Sequence, residues 1–164
     1  MHNHAPAGYR CPFCLLARGE AEGMNRQDDV FYRDPLVTAF VAPLWWPQNA
    51  GHVLIIPNEH FEHIYDLPRR YAHRVQDVAQ MVAIGFKEVY GCEGVSTRQH
   101  NEPAGNQDVW HYHLHVFPRS TGDDLYRSRR SSEIAPPEQR ADYAFRLRSF
   151  LAAHPELTAM EDPE

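Results

Sequence analysis

Residues 108–120 read DVWHYHLHVFPRS, and the alternation in this run constrains the fold more than any other stretch of the chain. Successive side chains of a β-strand point to opposite faces. His111, His113 and His115 would therefore line one face, with Trp110, Tyr112, Leu114 and Val116 on the other. Pro118 is expected to end the strand. One face is core, and the other is free for chemistry.

Other segments supply partners for that strand. DDVFYRD and LVTAFVA are short β-rich runs separated by Asp34 and Pro35, which reads as a hairpin. LWWPQNAG is rich in breakers and reads as a loop. HVLIIP is a strand stopped by Pro57, with His52, Leu54 and Ile56 on one face and Val53 and Ile55 on the other. From Pro68 to Tyr90 the period becomes helical: Tyr71, Val75, Val78, Val82, Phe86 and Val89 recur every three or four residues, and Gly91 closes the helix. GVSTRQ is a further strand candidate, HNEPAGNQ a polar loop and CPFCLLARGE a short helix. A second amphipathic helix runs through Tyr143, Leu147, Phe150 and Leu151. The pattern predicts an α+β domain on an antiparallel sheet.

At 164 residues the chain has the size of one domain. A formal charge of -6 argues against a nucleic-acid partner. No stretch approaches the roughly 18 apolar residues of a membrane span. The start, MHNHAPAGYR, has neither the basic leader nor the apolar core of a targeting segment, so a cytoplasmic protein without a membrane partner is expected. Three cysteines suit a reducing compartment, with Cys11 and Cys14 as metal ligands or a redox pair and Cys92 as a buried thiol.

Two readings of the histidine strand stand level. Eleven histidines in 164 residues make strict alternation of three by chance rare. The three imidazoles are ligands of a catalytic metal, or the middle one is a nucleophile held by its neighbours. Alternate residues lie about 6.5 to 7 Å apart along a strand, so convergence of all three on one ion needs twist and favourable rotamers. The CPFC pair offers two thiolates at metal-ligand spacing. A tetrahedral zinc would take two more ligands, for which later histidines are available.

HYHLHVF fits the pattern His-φ-His-φ-His-φ-φ, with φ apolar, and together with CPFCLLARGE, AFVAPLWWPQNAGHVLIIPNEH and the PR after the triad it resembles the histidine triad (HIT) family of nucleotide hydrolases and transferases. The resemblance spans roughly residues 9 to 121. It implies a HIT-like sheet of about five strands with one long helix, a flexible leader over 1–8 and a C-terminal helical extension over 122–164. It also implies a homodimer.

For the site, the resemblance implies that His113 attacks the α-phosphorus of a purine nucleotide derivative, a nucleoside phosphoramidate or dinucleoside polyphosphate, forming a nucleotidyl-histidine that water hydrolyses. His115 would contact the phosphate, and His52 and His111 would complete the cluster. Cys11, Cys14, His60 and His111 would hold a structural zinc, with no catalytic metal. Phe13, Leu16 and Phe40 would form the base pocket. Asn101, Asn106 and Gln107 would sit beside the phosphates. Many members have an acid soon after the AF pair to hold ribose; AFVAPLWWPQNAG has none. Many carry Ser or Thr where this chain has Asp108, which would act as a general acid if buried or else disfavour anionic substrates. The alternatives are a metal-dependent enzyme using the three strand histidines and a nucleotide-binding module with little catalysis.

Overall fold

The computed structural model describes residues 3–127 and 132–159. The first two residues of the expected leader, and residues 128–131 and 160–164 of the expected extension, lie outside the described residues.

Five strands form one antiparallel sheet in the order β1-β2-β4-β6-β5. β1 (Val30–Arg33) and β2 (Val37–Val41) make the expected hairpin. Asp34 shapes its turn: Oδ1 accepts from the amides of Leu36 and Val37 at 2.7 and 2.8 Å, which fixes the chain around Pro35. β4 (Val53–Pro57) pairs with β2 on one side and with β6 (Leu114–Arg119) on the other. β5 (Gly94–Gln99) lies at the edge against β6.

The two faces of the sheet have different cover. On one, Val53, Ile55, Leu114 and Val116 join Ala39 and Val41 in a large apolar cluster with α2 (Arg69–Gly85) and α3 (Pro137–Ala153). α2 contributes Val75, Val78, Ala79 and Val82, as its period predicts. It continues into a π-helical turn over Phe86–Tyr90, and Gly91 ends it at φ 66°, where a residue without Cβ is favoured. α3 adds Ala144, Leu147 and Leu151 to the same cluster, so the segment beyond residue 122 packs into the core shared with the sheet. On the other face Leu54 and Ile56 pack with Phe40 and with Cys11, Phe13 and Leu16, the last two from the short helix α1 (Pro12–Ala17). The histidines lie on this second face.

Three local expectations need correction. The regular ladder of β6 begins only at Leu114, so His111 and His113 precede it. Their alternation survives, because His111 and His113 are buried on the α1 side while Tyr112 packs into the α2 cluster. Pro118 does not end the strand: it pairs with Val95 inside β6. The β4 ladder has already stopped at Val116, leaving β6 a partner on one side only, and a residue without an N–H is tolerated there. LWWPQNAG is not wholly loop, since β3 (Leu44–Trp45) pairs with β7 (Glu133–Ile134) in a separate two-stranded ladder. Among the described residues no helix is long and apolar enough to cross a membrane.

Candidate active site and metal centre

Backbone carbonyls fix the tautomers of the buried histidines, because a carbonyl only accepts. His113 Nδ1 lies 2.7 Å from the carbonyl of His111, so it carries the proton and Nε2 keeps its lone pair. His52 Nδ1 donates to the carbonyl of Leu44 at 3.2 Å. Its Nε2 therefore accepts from His115 Nδ1 at 3.0 Å. His111 donates from Nε2 to the carbonyl of Pro57 at 3.0 Å, which turns its Nδ1 towards the cysteines. The strands do this positioning: Leu54 of β4 is paired with His115 of β6, which sets the histidine beside it, His52, next to the triad.

Burial keeps His52, His113 and His115 neutral. It lowers His52 from its ordinary value to about 3, against the hydrogen bond to Leu44. It also lowers His113, opposed by the His111 carbonyl and by the charge of Asp108, and holds His115 well below the usual histidine range. A neutral imidazole with one nitrogen hydrogen-bonded to a carbonyl presents the other as a nucleophile or ligand.

A cavity of about 380 Å³ opens onto this cluster. Phe13, Trp46, Leu54 and Val109 give it apolar walls, and His113 and His115 lie at its polar end. Of the expected base-pocket residues only Phe13 lines it, with its ring 5.3 Å from that of His113. Leu16 and Phe40 are fully buried behind Phe13 and do not reach the wall. Asn101 and Gln107 also do not line it. Asn101 binds the amide of Ile64 and the side chain of Gln99, while Gln107 braces the carbonyls of Glu62 and Val109. Asn106 and Asp108 do reach the histidines: both line a small recess beside His115. Asp108 Oδ1 is 3.8 Å from His113 Nε2, but its side chain is 72% exposed, so the burial required of a general acid is missing. Sequence reasoning missed Arg98 and His100, which line that recess. The alternation in GVSTRQH places them on one face, and that signal was available.

Cys11, Cys14, His60 and His111 each aim one donor atom at a common point, all within 4.8 Å of one another. The sulfur–nitrogen separations are 3.3 Å for Cys11–His111, 3.3 Å for Cys14–His60 and 3.5 Å for Cys14–His111. A tetrahedral zinc with ordinary Zn–S and Zn–N bonds has edges of about 3.5 Å, so the donors fit it. The chemistry agrees. Hydrogen bonding from Cys14, with His111 and His60, pulls the Cys11 thiol well down, and the Cys14 amide donates to Cys11 Sγ at 3.4 Å. The Cys11 side chain thereby also caps α1.

A five-stranded antiparallel sheet carrying three alternating imidazoles beside an apolar cavity defines a histidine-triad protein. The chain matches the HIT domain over residues 24–122, and it belongs to that family. It is similar to the protein hit of Bacillus subtilis, at 30% identity over 66% of this chain and 70% of that one. It is also similar to an adenylylsulfatase of Arabidopsis thaliana, at 25% identity over 72% of this chain and 56% of the relative. Among solved structures, a zinc-bound histidine triad family protein from Mycobacterium smegmatis matches 89% of this chain and 96% of its own, with TM-score 0.71 and 28% identity.

Proposed function

We propose that this protein is a hydrolase acting at the α-phosphate of a purine nucleotide derivative through a covalent nucleotidyl-histidine. One observation carries the reading: His113 is buried, neutral and held by the His111 carbonyl, so its Nε2 lone pair faces the cavity side where Asp108 stands. Nε2 attacks phosphorus, the P–N or P–O bond breaks, and the leaving group keeps that electron pair, an amine also taking a proton from solvent. Water then attacks the same phosphorus, returns the imidazole and loses its proton to solvent. Splitting the displacement in two lowers each barrier. His115, its Nδ1 tied to His52, positions the phosphate. Phe13, Leu54 and Val109 take the base.

The name of the Arabidopsis relative supports hydrolysis at an adenylyl phosphorus. In this reading a zinc would be structural: Cys11, Cys14, His60 and His111 would hold it, and ligation would fix the orientation of His111, two residues from the nucleophile. We take residues 9–121 as the catalytic unit and the protein as a homodimer, for which β5 at the sheet edge is a suitable surface.

The test is acid quenching during turnover of adenosine 5′-phosphoramidate, followed by peptide mapping. An adenylylated peptide bearing His113, absent in His113→Ala, is expected. Full turnover by His113→Ala on every nucleotide substrate would overturn the reading.

A further inference from the structure

Beside the main cavity lies a smaller one of about 90 Å³, lined among others by Arg98, His100, Asn106 and Ser132. Leu44, Trp46, Asp108 and His115 line both cavities, so these four form the partition. The walls differ in kind. Those of the larger cavity are mostly apolar, whereas those of the smaller are as polar as they are apolar and include a guanidinium.

Arg98 stands opposite His115 in the β5–β6 ladder. Its guanidinium carbon lies 4.8 Å from the centre of the Phe117 ring and 5.3 Å from that of Trp46, so two aromatic faces hold the cation at this wall. Its charge is felt at the catalytic rings, where it adds to the lowering of His52 and His115. A phosphorus within reach of both His113 and His115 sits at the partition. With the nucleoside in the apolar cavity, the remaining substituent enters the smaller one.

We infer that this recess is the leaving-group subsite, and that Arg98 makes it selective for a leaving group bearing an oxyanion, a phosphate or a sulfate, over a neutral amine. The inference rests on the hydrolase reading above. The Asp108 carboxylate in the same wall opposes an anion, an effect that the Arg98 guanidinium offsets, but its exposure favours a leaving group that needs no proton. An amine must collect a proton as it leaves and among the described residues no buried acid lines the recess, whereas a sulfate or phosphate oxygen departs with the electron pair of its bond to phosphorus and needs no proton. A planar guanidinium suits either oxyanion.

The experiment compares kcat/KM for adenylyl sulfate, diadenosine triphosphate and adenosine 5′-phosphoramidate in the wild type, Arg98→Gln and Arg98→Lys. The ratio of each anionic-leaving substrate to the phosphoramidate is expected to fall about tenfold or more in Arg98→Gln, the loss of one charged hydrogen bond, and to recover in part in Arg98→Lys. The sulfate and polyphosphate arms separate the two oxyanions. An equal fall on all three substrates, or no fall, overturns the inference and assigns Arg98 to packing against Trp46 and Phe117. Sulfate binding to the AMP-saturated protein, measured by calorimetry, reads the subsite without turnover and should weaken about tenfold in Arg98→Gln; unchanged binding overturns the inference. Loss of turnover on every substrate in the wild type overturns the hydrolase reading instead, and the calorimetry still decides the subsite.

Discussion

His52 Nε2 and His115 Nδ1 lie 3.0 Å apart with their rings nearly parallel, at 16°, and the Leu44 carbonyl behind His52 fixes which of them donates. Both rings are neutral because burial disfavours the charged form.

This pair makes stability depend on pH above the carboxylate range. The folded values of His52, His113 and His115 are depressed, so the stability they contribute is present above the unfolded value near 6.5 and is lost as pH falls, down to about 3 for His52. Asp29, which burial pushes up to about 6, acts with the opposite sign and offsets part of the loss. Urea midpoints should drop steadily from pH 7 to 5, by an amount worth several kcal/mol. A flat profile until pH 5 would show that the rings are solvated.

Removing a cysteine should remove the metal while leaving the nucleophile in place. Purified wild-type protein is expected to carry about one zinc per chain and Cys11→Ser none, with a lower melting temperature because metal binding is folding energy. Zinc kept in Cys11→Ser but lost in His113→Ala would instead make the three strand histidines the ligands.

Gly51 lies at φ 77°, and a Cβ there would overlap Tyr143 Cδ1 on α3 and come within 2.9 Å of Tyr90 Cε2. Gly51→Ala should cost about 2 to 4 kcal/mol, the sum of left-handed backbone strain and overpacking. Combining it with Tyr143→Ala should return most of the overpacking share, and a double-mutant cycle in urea measures it. Strict additivity would mean that the ring steps aside freely.

Arg140 is buried with Nη1 3.0 Å from Asp29 Oδ2 and donating to the carbonyl of Met24. Arg140→Met alone should destabilise by about 3 to 5 kcal/mol, because it strands a buried carboxylate. Adding Asp29→Leu should restore most of that loss in the same unfolding assay.

The sequence made some of this legible and not the rest, for physical reasons. Alternation in HYHLHVF places its three histidines on one face without any structure, and alternation in HVLIIP sets His52 with Leu54 and Ile56, but only the β4–β6 pairing brings the two faces together. The helical period between Pro68 and Tyr90 is as plain. β3 and β7 hold two residues each, too few to show a period. Phe13 and Leu16 share one helical turn, and only the packing of α1 decides that the first faces the cavity and the second the core. Pro118 misled because a breaker reads the same at an edge and at an end. Arg98 was passed over because a cation in an edge strand ordinarily faces water, and its aromatic neighbours come from distant segments.

Ala144, Leu147 and Leu151 at the far end of the chain share one cluster with Val53, Ile55 and Val116, which sit on the strands presenting His52 and His115. The last helix cannot open without loosening those strands, so the two form a single cooperative unit although the HIT match stops at residue 122. Amides of α3 should exchange with solvent as slowly as those of β2 and β4. A chain cut after Gly122 would retain every reactive ring yet lose the aim that makes them useful.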